Sequence, residues 1–169
     1  DAIAQVDDEI SREFGEMTSL LARVGSSIAT DPTTPRSLQA ARSQEAAPDA
    51  IRMLFDVLDS RLGDVKSRGD VAVTVYDFPD GVARAWAGRP SDIPGERIRS
   101  PRSWFVTPSA QGLRLVHVIP VTAGDDAPVG VIAMEHALSP APVAGTLAPA
   151  EYLLPTGFGP AALRLRFEG

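Results

Sequence analysis

Hydrophobic positions in the first thirty residues recur with the period of an α-helix. In "DAIAQVDDEISREFGEMTSLLARVGSSIA", Ile3, Ile10, Met17 and Val24 fall seven apart, and Val6, Phe14, Leu20 and Leu21 fill the neighbouring positions of the same stripe. The spacing predicts one long amphipathic helix of about 40 Å at ~1.5 Å per residue. Asp1, Asp7, Asp8 and Glu9 near its start suit the positive end of the helix dipole. Two packings satisfy such a stripe: burial once against a sheet, or burial that also meets a twin helix in a homodimer, with Glu13 interrupting the seam. "TDPTTPRS" then breaks the pattern with two prolines. Asp49 caps or opens a second helical run, "AIRMLFDVLDSRLGD", with Ile51, Leu54, Phe55, Leu58 and Leu62 on one face and Gly63 and Gly69 ending it.

From residue 71 the period becomes two. Val71, Val73 and Val75 alternate with Ala72, Thr74 and Tyr76, the signature of a strand. "DFPDG" is a turn, with Pro79 fixing φ and Gly81 accepting positive φ, and "VARAWAG" returns as a second strand. A proline-rich loop from Arg89 to Pro101 has no periodicity. "SWFVTPSAQG", "LRLVHVIPV" and "VGVIAMEHAL" read as three further strands, the last two joined by "TAGDDAP". A short strand is expected in the tail over 163–167, in a region that Pro155 and Pro160 punctuate. Helices first and sequential strands after predict an α+β fold, one domain over 1–169: helical over 1–69, a five-stranded antiparallel sheet over 70–138, and a C-terminal extension over 139–169.

Composition narrows the function. A chain of 169 residues can bury roughly 70% of its unfolded surface. A net charge of −6 argues against general nucleic-acid binding, which needs a basic face. Residues 1–70 hold 13 acids against 8 Lys and Arg, a local −5, whereas 71–169 hold 9 against 8. Cysteine is absent, which removes disulfides, thiolate nucleophiles and thiolate metal sites. No stretch approaches the ~18–20 apolar residues of a membrane span, and no signal peptide is visible. The chain opens inside a helical pattern without a start methionine and reads as an excised piece. Zincin, nucleophile-elbow, phosphate-loop and dinucleotide motifs are all missing, so no enzymatic chemistry, cofactor or metal site is expected.

In order and spacing of elements, "VTVYDFPDGVARAWAG", the long loop, "LRLVHVIPV" and "VGVIAMEHAL" resemble the extracytoplasmic PAS-like sensor domains called PDC or Cache domains. The resemblance covers residues 1 to 138. It implies a periplasmic input domain of a membrane-tethered receptor such as a two-component sensor histidine kinase. In that family a long N-terminal helix leads out of the membrane, and a five-stranded antiparallel sheet holds a small-molecule ligand on one face. A cytoplasmic PAS- or GAF-like regulatory domain and a ligand-free dimerisation module are the alternatives.

Seven residues are candidates for the ligand site, each with a plainer role beside it. Trp86 floors a pocket or fills core space; Arg84 and Arg89 clamp an anion or remain solvated. Arg99 belongs to a stretch, 84–102, with five arginines against Asp92 and Glu96, suited to greeting an anion or to keeping a loop soluble. Trp104 opens the third strand and points opposite to Phe105. His117, in phase with Leu113, Leu115 and Ile119, is a pocket wall or a satisfied core histidine. Tyr76 could hydrogen-bond a ligand or a neighbouring strand. A pocket lined by Trp86 and Arg89 would favour ligand binding, and a sheet face packed solid with valine and leucine would favour interaction alone.

Overall fold

A computed structural model of the chain describes residues 2–99, 102–110, 112–138, 151–156 and 159–164. The fold is α+β. Three helices come first: α1 (Ala2–Ala29), α2 (Thr33–Ala40) and α3 (Ala47–Leu62), followed by a 3-10 turn over Gly63–Arg68. The strands are β1 (Val71–Asp77), β2 (Ala83–Ala87), β3 (Ser103–Ser109), β4 (Gly112–Thr122) and β5 (Pro128–Ala137), with a one-turn helix α4 (Gly95–Ile98) between β2 and β3. They form a fully antiparallel sheet in the order β2-β1-β5-β4-β3.

The two faces of the sheet have different cover. Val71, Val73 and Val75 of β1, Leu115, Ile119 and Val121 of β4, and Ile132 and Met134 of β5 pack against Leu21, Val24 and Ile28 of α1, Leu38 of α2 and Leu54, Leu58 and Leu62 of α3. The opposite face carries Tyr76, Phe105, Val116, Val118, Val131 and Ala133, covered by Ile93 and Ile98. With both faces buried, β1 has no exposed residue, and β4 and β5 read as near-continuous apolar runs.

Small residues set how closely the layers approach. A Cβ at Gly25 of α1 would lie 2.4 Å from Ile119 Cδ1 and 2.8 Å from Met134 Cγ, so only glycine lets α1 down onto β4 and β5 there. A Cβ at Gly130 would meet Leu38 Cδ1 at 2.4 Å and the Tyr76 carbonyl oxygen at 2.7 Å. The stripe of α1 is buried unequally. Leu21, Val24, Gly25 and Ile28 are core, Ile10, Phe14, Met17 and Leu20 are half-buried on its margin, and Ile3 is 78% exposed. The helix covers the sheet with its second half.

"TDPTTPRS" does more than end α1. Asp31 Oδ1 accepts the Thr33 amide at 2.9 Å, the Thr34 hydroxyl donates to the Ile28 carbonyl at 2.7 Å, and α2 begins at once. Pro35 is tolerated because it falls in the first turn, where amides have no helical partner. Asp49 is not the cap of α3: Ala46 takes that place, and Asp49 lies in the first turn after Pro48. The "DFPDG" turn has Gly81 at φ 71° and a cis Phe78–Pro79 peptide. In the extension, β6 (Glu151–Thr156) and β7 (Gly159–Arg164) form a separate antiparallel hairpin, with Pro155 opposite Pro160. The strand expected over 163–167 is met by β7 up to Arg164, and 165–167 lie outside the described residues.

Candidate functional site

The face of the sheet away from the helices is closed by the chain between β2 and β3, described over 88–99 and here termed the strap. Its path is fixed at three points. Gly88 turns at φ 76° against β1, where a Cβ would lie 2.6 Å from the Val71 carbonyl oxygen. The Ser91 amide then donates to both carboxylate oxygens of Glu135, each at 3.0 Å. Ile93 and Ile98 drop into the apolar patch around Phe105, and Arg97 lies over the Phe105 ring, 5.2 Å from its centroid.

Beside this anchor is a cleft of about 470 Å³ lined by Arg89, Pro90, Ser91 and Asp92 of the strap, Pro108, Ser109 and Ala110 at the end of β3, and Arg114 of β4. Arg114 is almost wholly buried, with Nη1 4.0 Å from Oε1 of the fully buried Glu135. Arg89, also on the lining, is exposed. Two arginines on one cleft offer guanidinium groups of the kind that suit a small oxyanion.

Of the expected residues, Arg89 lines this cleft and Tyr76 lies on the same sheet face. The Tyr76 phenol is pushed above its ordinary value by burial, with the nearby Thr74 hydroxyl opposing this and the Glu135 and Asp92 carboxylates adding to it. Arg84 is committed elsewhere: Nε and Nη2 reach Asp77 Oδ2 at 2.7 and 2.6 Å, while Asp77 Oδ1 accepts the Val82 amide at 2.9 Å. Trp86 is half exposed, and its ring meets Phe55 of α3 edge-on at 5.4 Å. The cleft that Arg89 lines does not include Trp86, and the helix-covered face is packed solid with Val, Leu and Ile. Arg99 is exposed at the C-terminus of α4.

Trp104 and His117 form a second aromatic pair, stacked at 3.7 Å and 12°. They are register partners, on the face opposite to Phe105 and Val116. His117 Nδ1 donates to the Ser103 carbonyl at 3.2 Å. Burial lowers the His117 pKa, the Arg102 charge adds to this, and the Ser103 bond opposes it. His117 is a satisfied, neutral group under a half-exposed tryptophan. His136 has Nδ1 on the Ala137 carbonyl at 2.8 Å and Nε2 3.4 Å from Asp70 Oδ2. Among the described residues no three His, Asp or Glu side chains are placed to hold a metal ion.

Arg114 and Glu135 were not among the expected residues. Their signal is present in the chain all the same: each is a charge in phase with valines or alanines, Arg114 with Val116 and Val118, Glu135 with Val131 and Ala133. A charge on a buried strand face needs a partner, and these two partner each other. A larger groove of about 660 Å³ between α2 and α3, with Met53 and Val57 on its wall, contains none of the expected residues. The sequence matches no family model and no curated protein. No described helix is long and apolar enough to cross a membrane.

Proposed function

We propose that this chain is a sensory input domain that binds a small oxyanion in the strap cleft and passes the event through the sheet to α1. The observation that carries the proposal is the meeting of Arg89 and the buried Arg114 in one cleft under a strap anchored to Glu135. Alternating residues of β5 supply a route: Glu135 faces the strap, and Met134 faces Gly25 of α1. A ligand that prefers one strap arrangement shifts the population of α1 arrangements by its differential affinity. The order and spacing of elements, which resemble those of Cache domains, support reading the chain as the extracytoplasmic part of a membrane-tethered receptor, with a histidine kinase or similar output carried elsewhere.

The test is thermal unfolding in inorganic phosphate, sulfate and small mono-, di- and tricarboxylates. At 100 times Kd a ligand stabilises by about 2.7 kcal/mol, a rise of roughly 5–11 °C for a domain of this size. Sulfate and phosphate also stabilise proteins by exclusion from their surfaces, so the rise must be lost in Arg89→Ala. A panel that moves wild type and Arg89→Ala equally overturns the proposal. The second reading, self-association without a ligand, is favoured by the solidly packed helix-covered face, by the absence of Trp86 from the cleft of Arg89, and by the exposed Ile3 with Val6 and Ile10 beside it on α1. Sedimentation of the same samples reads it directly.

A further inference from the structure

Resting on the oxyanion reading of the strap cleft, the arrangement behind its wall has a second consequence. Arg89 and Arg114 face the cleft, and Asp92 also lines it. Glu135 stands behind Arg114, fully buried, with both oxygens held by the Ser91 amide. Two cations and two carboxylates balance, so the site carries its own counter-charge. The Arg114–Glu135 pair is also long. An Nη1 to Oε1 distance of 4.0 Å is well beyond the ~2.7–2.9 Å of a tight charge-assisted bond. Glu135 therefore acts on the guanidinium by charge across that distance.

We infer that Glu135 is an internal competitor for Arg114 and sets the affinity of the cleft. An incoming oxyanion takes over the guanidinium, and the Glu135 charge, fixed by Ser91, opposes it from a few ångströms away. Like charge held close in a poorly screened interior weakens binding of an anion, so the carboxylate keeps the cleft selective for ligands that engage Arg89 and Arg114 together. The same event loosens the balance that holds Ser91, which makes the strap the first element to respond.

The test is titration of inorganic phosphate into the wild-type chain and Glu135→Gln, followed by isothermal calorimetry and by the nitrogen–proton resonances of Ser91 and Arg114. Glutamine keeps a carbonyl acceptor for Ser91 while removing the charge. Expected is phosphate binding about tenfold tighter in Glu135→Gln than in wild type. Loss of binding in Arg114→Gln completes the expected pattern. Equal or weaker binding in a folded Glu135→Gln overturns the inference and leaves the cleft reading standing. Absence of phosphate binding to both proteins overturns the two together. The wild-type resonances decide independently of any variant: the Ser91 amide must shift along with the Arg114 Nε–H, and movement of Arg114 alone refutes the competition.

Discussion

Gly15 and Gly25 lie in the same helix, and alanine at the two positions is expected to act with opposite sign. Replacing a mid-helix glycine by alanine gains about 1 kcal/mol of helix propensity. At Gly15 the new Cβ meets nothing within 4 Å, so the substitution stabilises by an amount between zero and about 1 kcal/mol. At Gly25 it arrives 2.4 Å from Ile119 Cδ1 and 2.8 Å from Met134 Cγ. Carbon contacts settle at about 3.5–4.0 Å, so Ile119 has to retreat by roughly 1 Å. It has nowhere easy to go, because Ile119 is 2% exposed and Met134 not at all. Overpacking of this kind costs about 1–3 kcal/mol. Cost exceeds gain, and Gly25→Ala is expected to destabilise by about 1 kcal/mol.

The two variants should then differ by about 1–2 kcal/mol, or roughly 2–8 °C in Tm for a chain of this size. Urea unfolding followed by circular dichroism reads the same difference as a shift in midpoint at constant slope. A third variant isolates the cause. Ile119→Val removes Cδ1 and ordinarily costs about 0.5–1.5 kcal/mol. In the Gly25→Ala background it should cost less than that or restore stability, a favourable coupling measured by the double-mutant cycle. Equal stabilisation by alanine at both glycines, or strict additivity with Ile119→Val, would refute the close approach of α1 to the sheet.

Two further outcomes follow from buried charge. Asp77→Ala removes the buried acceptor of the half-buried Arg84 and of the Val82 amide together; a loss of about 2 kcal/mol is expected in urea unfolding, and a loss under about 0.5 kcal/mol would refute the pairing. For His117, burial lowers the folded-state pKa below its unfolded value, so the unfolded chain takes up a proton first as pH falls. Its share of stability is full above the unfolded value of about 6.5 and is lost as pH falls through the folded value; stability measured in steps below about pH 7 should fall less steeply in His117→Gln than in wild type, and equal slopes would refute the assignment.

Much of the fold is legible in the chain because period and punctuation agree. A seven-residue recurrence marks α1 by pattern alone, and strict alternation in "VAVTVY" marks both β1 and the facing of Tyr76 away from Val75. Two elements escape for local reasons. In "TDPTTPRS" the prolines suggest a break, but Asp31 and Thr34 satisfy the ends of both helices and Pro35 falls in a first turn, so the break is only a corner. In the loop after β2, α4 is a single turn of four residues, too short for any periodic signal. The strand order is a different kind of omission. Sequence pattern gives each strand a buried face, but which strand sits in the middle depends on long-range pairing that local period does not encode.

The candidate site is harder to read, and the reason lies in what its residues do when paired. Trp86 and Arg84 are conspicuous in the sequence because an aromatic and a cation on one strand look available. In the fold each is spoken for, Trp86 by Phe55 across the β2 edge and Arg84 by Asp77. Arg114 and Glu135 look like noise in apolar runs, yet burial makes them the more consequential pair. A surface charge that loses its partner turns to water at little cost, whereas a charge on a buried strand face cannot. Arg114 and Glu135 therefore depend on what surrounds them in a way that a surface pair does not. The residue alternating with Glu135 on β5 is Met134, the one pressed against Gly25 of α1. A change in how Glu135 is held therefore reaches the strand segment on which the first helix rests, one residue along the chain from the carboxylate that anchors the strap.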